Sequence, residues 1–111
     1  MKVLRMLLVA LIANVCGGGE SLVVFSASWC GPCQQFKQDL VEDPELIAGY
    51  EIDVIDVDLL PDMAADFTVK SYPTFIVVKV DDDILKPENE IRREIGYTGP
   101  GKFKRWLLRN R

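Results

Sequence analysis

The sequence contains no histidine, and cysteine occurs only three times in 111 residues. Without histidine there is no imidazole base and no mixed Cys/His metal ligand set. Tetrahedral zinc needs four ligands. Cys30 and Cys33 could supply two, but Cys16 stands far from them in an apolar, glycine-flanked stretch. A Cys/His zinc site within one chain is therefore disfavoured. A four-cysteine iron–sulfur site fails on the same count unless two chains share it. No metal is expected. Excess positive charge is also missing, since 13 Lys and Arg face 17 Asp and Glu for a net charge of −4, and no nucleic-acid partner is suggested. The run Met6 to Ala13 is eight apolar residues long, too short for a conventional membrane span. Asp81-Asp82-Asp83 lacks the alternate ligand spacing and terminal Glu of a calcium loop, and reads as a solvated turn. Internal repeats and low-complexity segments are absent.

Length and composition fit one globular core, with 49% hydrophobic and 27% charged residues. Residues 1–19 differ from the rest. Lys2 and Arg5 precede Met6 to Ala13, and Asn14-Val15-Cys16 and three glycines follow. A charged start, a short apolar run and a small-residue end is the pattern of an export signal. Cys16-Gly17-Gly18-Gly19 also suits a lipid-anchored start with a tether, although Val15 is unusual before such a cysteine. The competing reading is a retained apolar helix packed on the sheet. Export or envelope anchoring is favoured over it, because the run offers no polar face over two turns; a retained helix would make the protein cytoplasmic.

From residue 20 onward the pattern is regular. Leu22 to Phe25 reads as a buried strand, and Gln34 to Glu42, with Phe36 and Leu40 at helical spacing, as a helix. Asp43-Pro44 breaks it before a short turn. In Ile52, Val54, Ile55 and Val57, successive pairs point to opposite faces, as expected for a central strand covered on both sides. Pro61 to Phe67 reads as a short helix with proline at its start. Tyr72-Pro73 precedes a β-branched strand, Thr74 to Val80, and a longish hairpin leads to a last strand around Glu90 to Ile95. Phe103, Trp106 and Leu107 give the final helix an apolar stripe, expected to be core. Lys102, Lys104, Arg105, Arg109 and Arg111 crowd the C-terminal end and read as its solvated basic face.

Trp29-Cys30-Gly31-Pro32-Cys33 lies at the junction between the first strand and the first helix. There Cys30 meets the free N–H groups and positive dipole end of the helix, which favour a thiolate. Cys30 is the candidate nucleophile. Cys33, one turn later on the same face, can attack a mixed disulfide formed at Cys30 and is the candidate resolving thiol. Redox use of the dithiol is the economical reading, with no cofactor beyond a Cys30–Cys33 disulfide.

Strand, helix, strand, helix, hairpin and helix, with the dithiol opening the first helix, resembles the thioredoxin family. The motifs are Phe25-Ser26-Ala27-Ser28-Trp29-Cys30-Gly31-Pro32-Cys33, Asp56-Val57-Asp58, Val69-Lys70-Ser71-Tyr72-Pro73-Thr74, and Gly96. The resemblance implies an α/β thioredoxin-like fold over residues 20–111, a central mixed sheet flanked by helices in βαβαββα order after the N-terminal apolar helix. It implies a cis bond before Pro73, which would face the dithiol, and a substrate groove of Tyr72, Pro73, Thr74 and Gly96 beside the active-site loop Trp29, Gly31 and Pro32. It implies a thiol-disulfide oxidoreductase, catalytic through Cys30 and Cys33. Its expected partners are protein disulfides and a reductase or membrane reductant. The chain is expected to be monomeric and to meet a membrane only through its N-terminal segment. The alternative is a binding or assembly subunit whose dithiol chemistry is dispensable.

The chain departs from the family pattern in several places. Val24 and Val54 stand where thioredoxins usually carry a buried aspartate and a neighbouring lysine. Losing both partners together avoids a stranded buried charge, but removes the usual proton acceptor for the resolving cysteine. Ser26 replaces a frequent tryptophan, and Gln38 a proline that kinks the active-site helix. The family's first strand has no clear counterpart before Leu22.

Overall fold

The structure is a computed structural model, and it describes residues 19–81 and 84–109. The expectations for residues 1–18, including Cys16, lie outside the described residues. Strand β1 (Glu20–Ser26) is followed by helix α1 (Gly31–Glu42), β2 (Glu51–Asp56), α2 (Pro61–Asp66), β3 (Thr74–Lys79), β4 (Glu90–Ile95) and α3 (Pro100–Arg109). Short 3-10 turns at Pro44–Ile47 and Pro87–Asn89 begin with the prolines that break the preceding patterns. Among the described residues the sheet has four strands in the order β2-β1-β3-β4. Strands β1 and β2 run parallel, whereas β3 pairs antiparallel with both β1 and β4. This is the mixed sheet and the βαβαββα order expected from the sequence.

Buried on both faces from Leu22 to Ala27, β1 divides the core in two. On one face Val23, Phe25 and Ala27 meet Ile55, Val57, Ala64, Phe67 and Ile76, together with both cysteines of the dithiol. On the other, Leu22 and Val24 meet Phe36 of α1, Phe75 of β3, Tyr97, and Phe103, Trp106 and Leu107 of α3. The α3 stripe is core, as expected. Phe36 lies at the centre of the second cluster, with ring centroids 4.8 Å from Phe75, 5.4 Å from Tyr97 and 5.3 Å from Phe103, all edge-on. Edge-to-face aromatic pairs add stabilisation beyond their buried area.

One expectation is corrected. The segment Ile52 to Val57 reads as a central strand, but among the described residues β2 is an edge strand paired only with β1. Ile55 and Val57 are buried as a strand face should be, whereas Val54 is 46% exposed. Alternation of apolar residues reports which faces they occupy, not whether a neighbour pairs on the far edge. Val24 and Val54 are register partners, but only Val24 is deeply buried, at 1% exposure. The charge cost argued from the sequence therefore applies to position 24 and not to position 54.

The second cluster also carries a part-buried polar link between α1 and the segment after β4. Tyr97 donates its hydroxyl to Asp39 Oδ2 at 2.6 Å, joining the segment after β4 to the middle of α1. Burial, and then the hydrogen bond to the Asp39 carboxylate, push the tyrosine's pKa well above its ordinary value.

Two stability tests follow from this packing. Val24→Asp is expected to lower unfolding free energy by about 3 kcal/mol, because it places an unpaired acid among Phe36, Phe75 and Leu22. That penalty is larger at neutral pH than below the carboxylate range, where the acid is neutral. Val54→Lys is expected to stay within about 0.5 kcal/mol of the parent. Urea midpoints measure both, and an unchanged midpoint for Val24→Asp at neutral pH refutes the burial argument. Tyr97→Phe is expected to cost about 1 kcal/mol near neutrality. The folded pKa is raised, so the hydroxyl's contribution is complete below the ordinary tyrosine pKa and is lost as pH rises toward the folded value. The gap between parent and variant should therefore close in alkaline denaturation curves, and a constant gap would contradict the assignment.

Candidate active site around the Cys30–Cys33 pair

The site begins where β1 ends. Residues Ala27 to Trp29 turn the chain, and the Cys30 N–H donates to the Ala27 carbonyl at 3.2 Å. Gln34 reinforces this turn by donating its side-chain amide to Ala27 O at 3.2 Å. Cys30 has extended backbone angles and is the N-cap of α1. Its sulfur accepts the Cys33 backbone N–H at 3.2 Å. A capping residue normally offers an oxygen to one of the unpaired N–H groups of the first turn; here the acceptor is sulfur. Pro32 occupies the first turn, where its missing N–H costs nothing.

Cys30 and Cys33 are joined by a disulfide, with Cα atoms 5.3 Å apart. They differ in access: Cys30 is 6% exposed and Cys33 only 1%. Gly31 and Pro32 between them are exposed, and Trp29 is 67% exposed. The first cysteine therefore borders solvent, and the second lies beneath it at the edge of the core.

Two segments distant in sequence meet beside the dithiol loop. The Tyr72–Pro73 peptide is cis. Tyr72 packs against the cluster that holds both cysteines, and its ring stands edge-on to Trp29 at 5.8 Å between centroids. Pro73 is buried, and its carbonyl accepts the Gly96 N–H at 2.8 Å. Gly96 has φ of 87°, a left-handed conformation that suits glycine. Thr74 is also buried; its hydroxyl donates to Ser71 O at 2.7 Å and closes the turn before β3. On the opposite side of the loop, Gly31 and Pro32 face Tyr97 to Pro100 across an open concavity that Gln35 and Asp39 also line. Trp29 is thus in contact with Tyr72, and Pro73 with Gly96, although nothing in their sequence spacing pairs them.

Asp58 has a role that motif reading does not assign. Its carboxylate accepts the Trp29 indole N–H at 3.0 Å, while its own backbone N–H donates to Asp56 Oδ1 at 2.9 Å. The exposed indole is held over the dithiol loop by this bond on one side and by Tyr72 on the other. Asp56-Val57-Asp58 is recognisable as a motif, but its partner lies 29 residues away. Ser26, by contrast, is 1% exposed and its hydroxyl has no hydrogen-bond partner among the described residues. Among the described residues, no group of three or more Cys, Asp or Glu is arranged to hold a metal ion.

Comparison with known proteins agrees with this geometry. The family model described as thioredoxin matches residues 15–95. Thioredoxin H2 of Arabidopsis thaliana is 40% identical over 63 residues, covering 57% of this chain and 47% of that protein. Thioredoxin of Staphylococcus aureus (strain Mu50) is 46% identical over 65 residues, covering 55% of this chain and 60% of the relative. The chain thus spans about half the length of the curated relatives it matches. The solved structure of Fasciola hepatica thioredoxin superposes with a TM-score of 0.65 at 26% identity, covering 93% of this chain and 91% of that one. A family model that matches most of the chain, and a disulfide-linked CxxC pair capping a helix at the end of the first strand of the same fold, lead to one conclusion: this chain belongs to the thioredoxin family.

Proposed function

We propose that the protein is a thiol-disulfide oxidoreductase that cycles Cys30 and Cys33 between dithiol and disulfide and acts on protein disulfides. The observation that carries the reading is the unequal setting of the pair. Cys30 borders solvent at a helix N-terminus with a backbone N–H on its sulfur, and Cys33 is buried one turn further in. In the reduced form that N–H and the helix dipole stabilise a thiolate at Cys30.

The Cys30 thiolate attacks one sulfur of a substrate disulfide. A Cys30–substrate disulfide forms, and the other substrate sulfur leaves as a thiolate that takes a proton from water. Cys33, once deprotonated, attacks Cys30 Sγ. The second substrate thiol is released and the Cys30–Cys33 disulfide remains. Two electrons have passed to the substrate. A dithiol reductase or a membrane reductant must return them, and the reverse sequence oxidises a substrate dithiol. Trp29, Gly31, Pro32, Tyr72, Pro73, Thr74 and Gly96 are the proposed docking surface, with the Tyr72 backbone offered to an extended substrate segment. Asp58 positions the indole of Trp29.

The proton of Cys33 is the weak point. Position 24 carries no carboxylate, and the chain has no histidine, so solvent or buffer takes the proton. The same vacancy favours a second reading, in which the fold serves as a binding or assembly subunit with relaxed catalytic demand.

Cys30→Ser is expected to abolish reduction of insulin disulfides, and Cys33→Ser to accumulate a stable mixed disulfide with substrate, seen by mass spectrometry. Retention of the biological phenotype by Cys30→Ser would favour the binding subunit. In single-turnover experiments at fixed pH, decay of the wild-type mixed disulfide is expected to accelerate with imidazole buffer concentration. A rate that rises with pH but not with buffer leaves the proton to water, and only a rate indifferent to both would show that a group in the protein takes it.

A further inference from the structure

Among the described residues the sheet has two edges, β2 and β4, and they are built differently. Strand β4 has a register irregularity where it passes Val77 and Val78, and its charges are mixed, with Arg93 bonded to Glu90 at 2.6 Å. Bulges and charges of this kind discourage pairing with a further strand. Strand β2 has no such irregularity. Its register with β1 is unbroken from Glu51 to Asp56, and it contains no proline and no basic residue.

Along β2 the unpaired groups fall at two residues. The Val57 N–H donates to the Ser26 carbonyl, and backbone groups alternate sides along a strand. Glu51, Asp53 and Ile55 therefore bond toward β1, while Ile52, Val54 and Asp56 turn their N–H and C=O groups outward. The Asp56 carbonyl accepts the N–H groups of Leu59 and Leu60. Ile52 and Val54 have no such partner among the described residues. Their N–H and C=O groups face away from the sheet, beside a valine side chain that is 46% exposed.

Charge around this edge has one sign. Residues 38–69 contain ten acids and no Lys or Arg. Among the described residues only Asp43 of the ten is in a salt bridge. The cations that reach this stretch from other elements are already engaged: Lys104 with Asp43, Arg92 with the Tyr50 hydroxyl and the Leu107 carbonyl, and Arg93 with the Phe67 carbonyl and Glu90. Lys79 is exposed but lies on β3, with β1 between it and β2. Lys37 and Lys70, which bound the stretch, belong to α1 and to the loop before Tyr72. The residues of β2 also sort by face. Glu51 and Asp53 share the face of buried Ile55, toward α2, and Val54 shares that of Ile52, toward α1 and α3.

We infer that the outer edge of β2 takes an extended segment of a partner protein in which Lys or Arg alternates with apolar residues. The segment adds a strand to the sheet: its backbone bonds to Ile52 and Val54, its cations lie beside Glu51 and Asp53, and its apolar side chains lie beside Val54. A second copy of β2 would set acids beside acids, which disfavours self-pairing. The strand ends two residues before Asp58, whose carboxylate holds Trp29, so a segment on this edge reaches the flank of the dithiol loop.

The test uses the full chain and three blocked octapeptides: alternating Lys and Val, alternating Glu and Val, and Lys alone. Titration followed by NMR is expected to show binding of the Lys-Val peptide that weakens as salt rises, and none of the Glu-Val peptide. Amide hydrogen exchange at Ile52 and Val54 is expected to be fast in the protein alone and to slow by about tenfold or more when the Lys-Val peptide saturates it. Glu51→Lys with Val54→Lys is expected to weaken binding about tenfold while keeping the parental urea midpoint. Failure of the Lys-Val peptide to bind overturns the site. Equally tight binding of octalysine, or binding that leaves the two amides unprotected, reduces the surface to charge alone and overturns the strand pairing. Slow exchange at both amides in the protein alone also overturns the proposal. Protection independent of protein concentration then assigns the edge to the chain's own first residues, and protection that grows with concentration assigns it to a second copy. None of these readouts depends on turnover, so the redox reading stands or falls separately.

Discussion

The contact on which the rest of the site depends is Phe36 against Phe75 and Tyr97. Phe36 lies one helical turn beyond Cys33, Phe75 two residues beyond Pro73, and Tyr97 next to Gly96. The three rings lie 4.8 to 6.2 Å apart, centroid to centroid. This packing therefore locks together the helix that carries the dithiol and the two strand ends that form the proposed groove. Close-packed interiors transmit such constraints with little slack. The Gly96 to Pro73 bond nearer the chemistry is a consequence of that alignment, whereas the Cys33 to Cys30 bond is a local helix cap.

From that anchor the two faces of β1 take different tasks. The face toward α2 holds the cysteines, and with them Tyr72 and the floor of the site. The face toward α1 and α3 is aromatic and contains the Tyr97–Asp39 link. A valine at position 24 suits this second face, because an acid there would sit among aromatic and aliphatic side chains with no cation beside it. The apolar choice spares the core an unpaired buried charge. Under the proposed cycle it leaves the Cys33 proton to solvent, and a slower resolving step is the expected chemical counterpart.

Much of this was legible in residue order. The pentapeptide at the β1–α1 junction, the prolines at positions 44 and 61, and the stripe of Phe103, Trp106 and Leu107 are local signals, and each reports a local event: a cap, a break, a buried face. The misreading of β2 as central has the same root. Ile52, Val54, Ile55 and Val57 state which faces are apolar, but edge position is a property of strand order, and strand order is set by which strands β1 accepts as neighbours. Asp58 escaped assignment because its bond to Trp29 depends on the parallel pairing of β1 with β2, which sets Ser26 opposite Asp56 and brings the two following loops side by side.

Residue order alone carries the redox reading: two cysteines one turn apart at a helix start, with no histidine and no fourth cysteine for a Cys/His metal site within the chain. The order of elements is legible in the same way, since apolar periodicity and proline breaks act over a few residues. Folding in three dimensions sets which cysteine is more deeply buried, what holds Trp29, and that Arg92 and Tyr50 link Leu107 near the end of α3 to Glu20 at the start of β1. Those are relations between residues tens of positions apart. They arise from the packing of Phe36, Phe75 and Tyr97 and the pairing of β1 with β2 and β3, which no local pattern encodes.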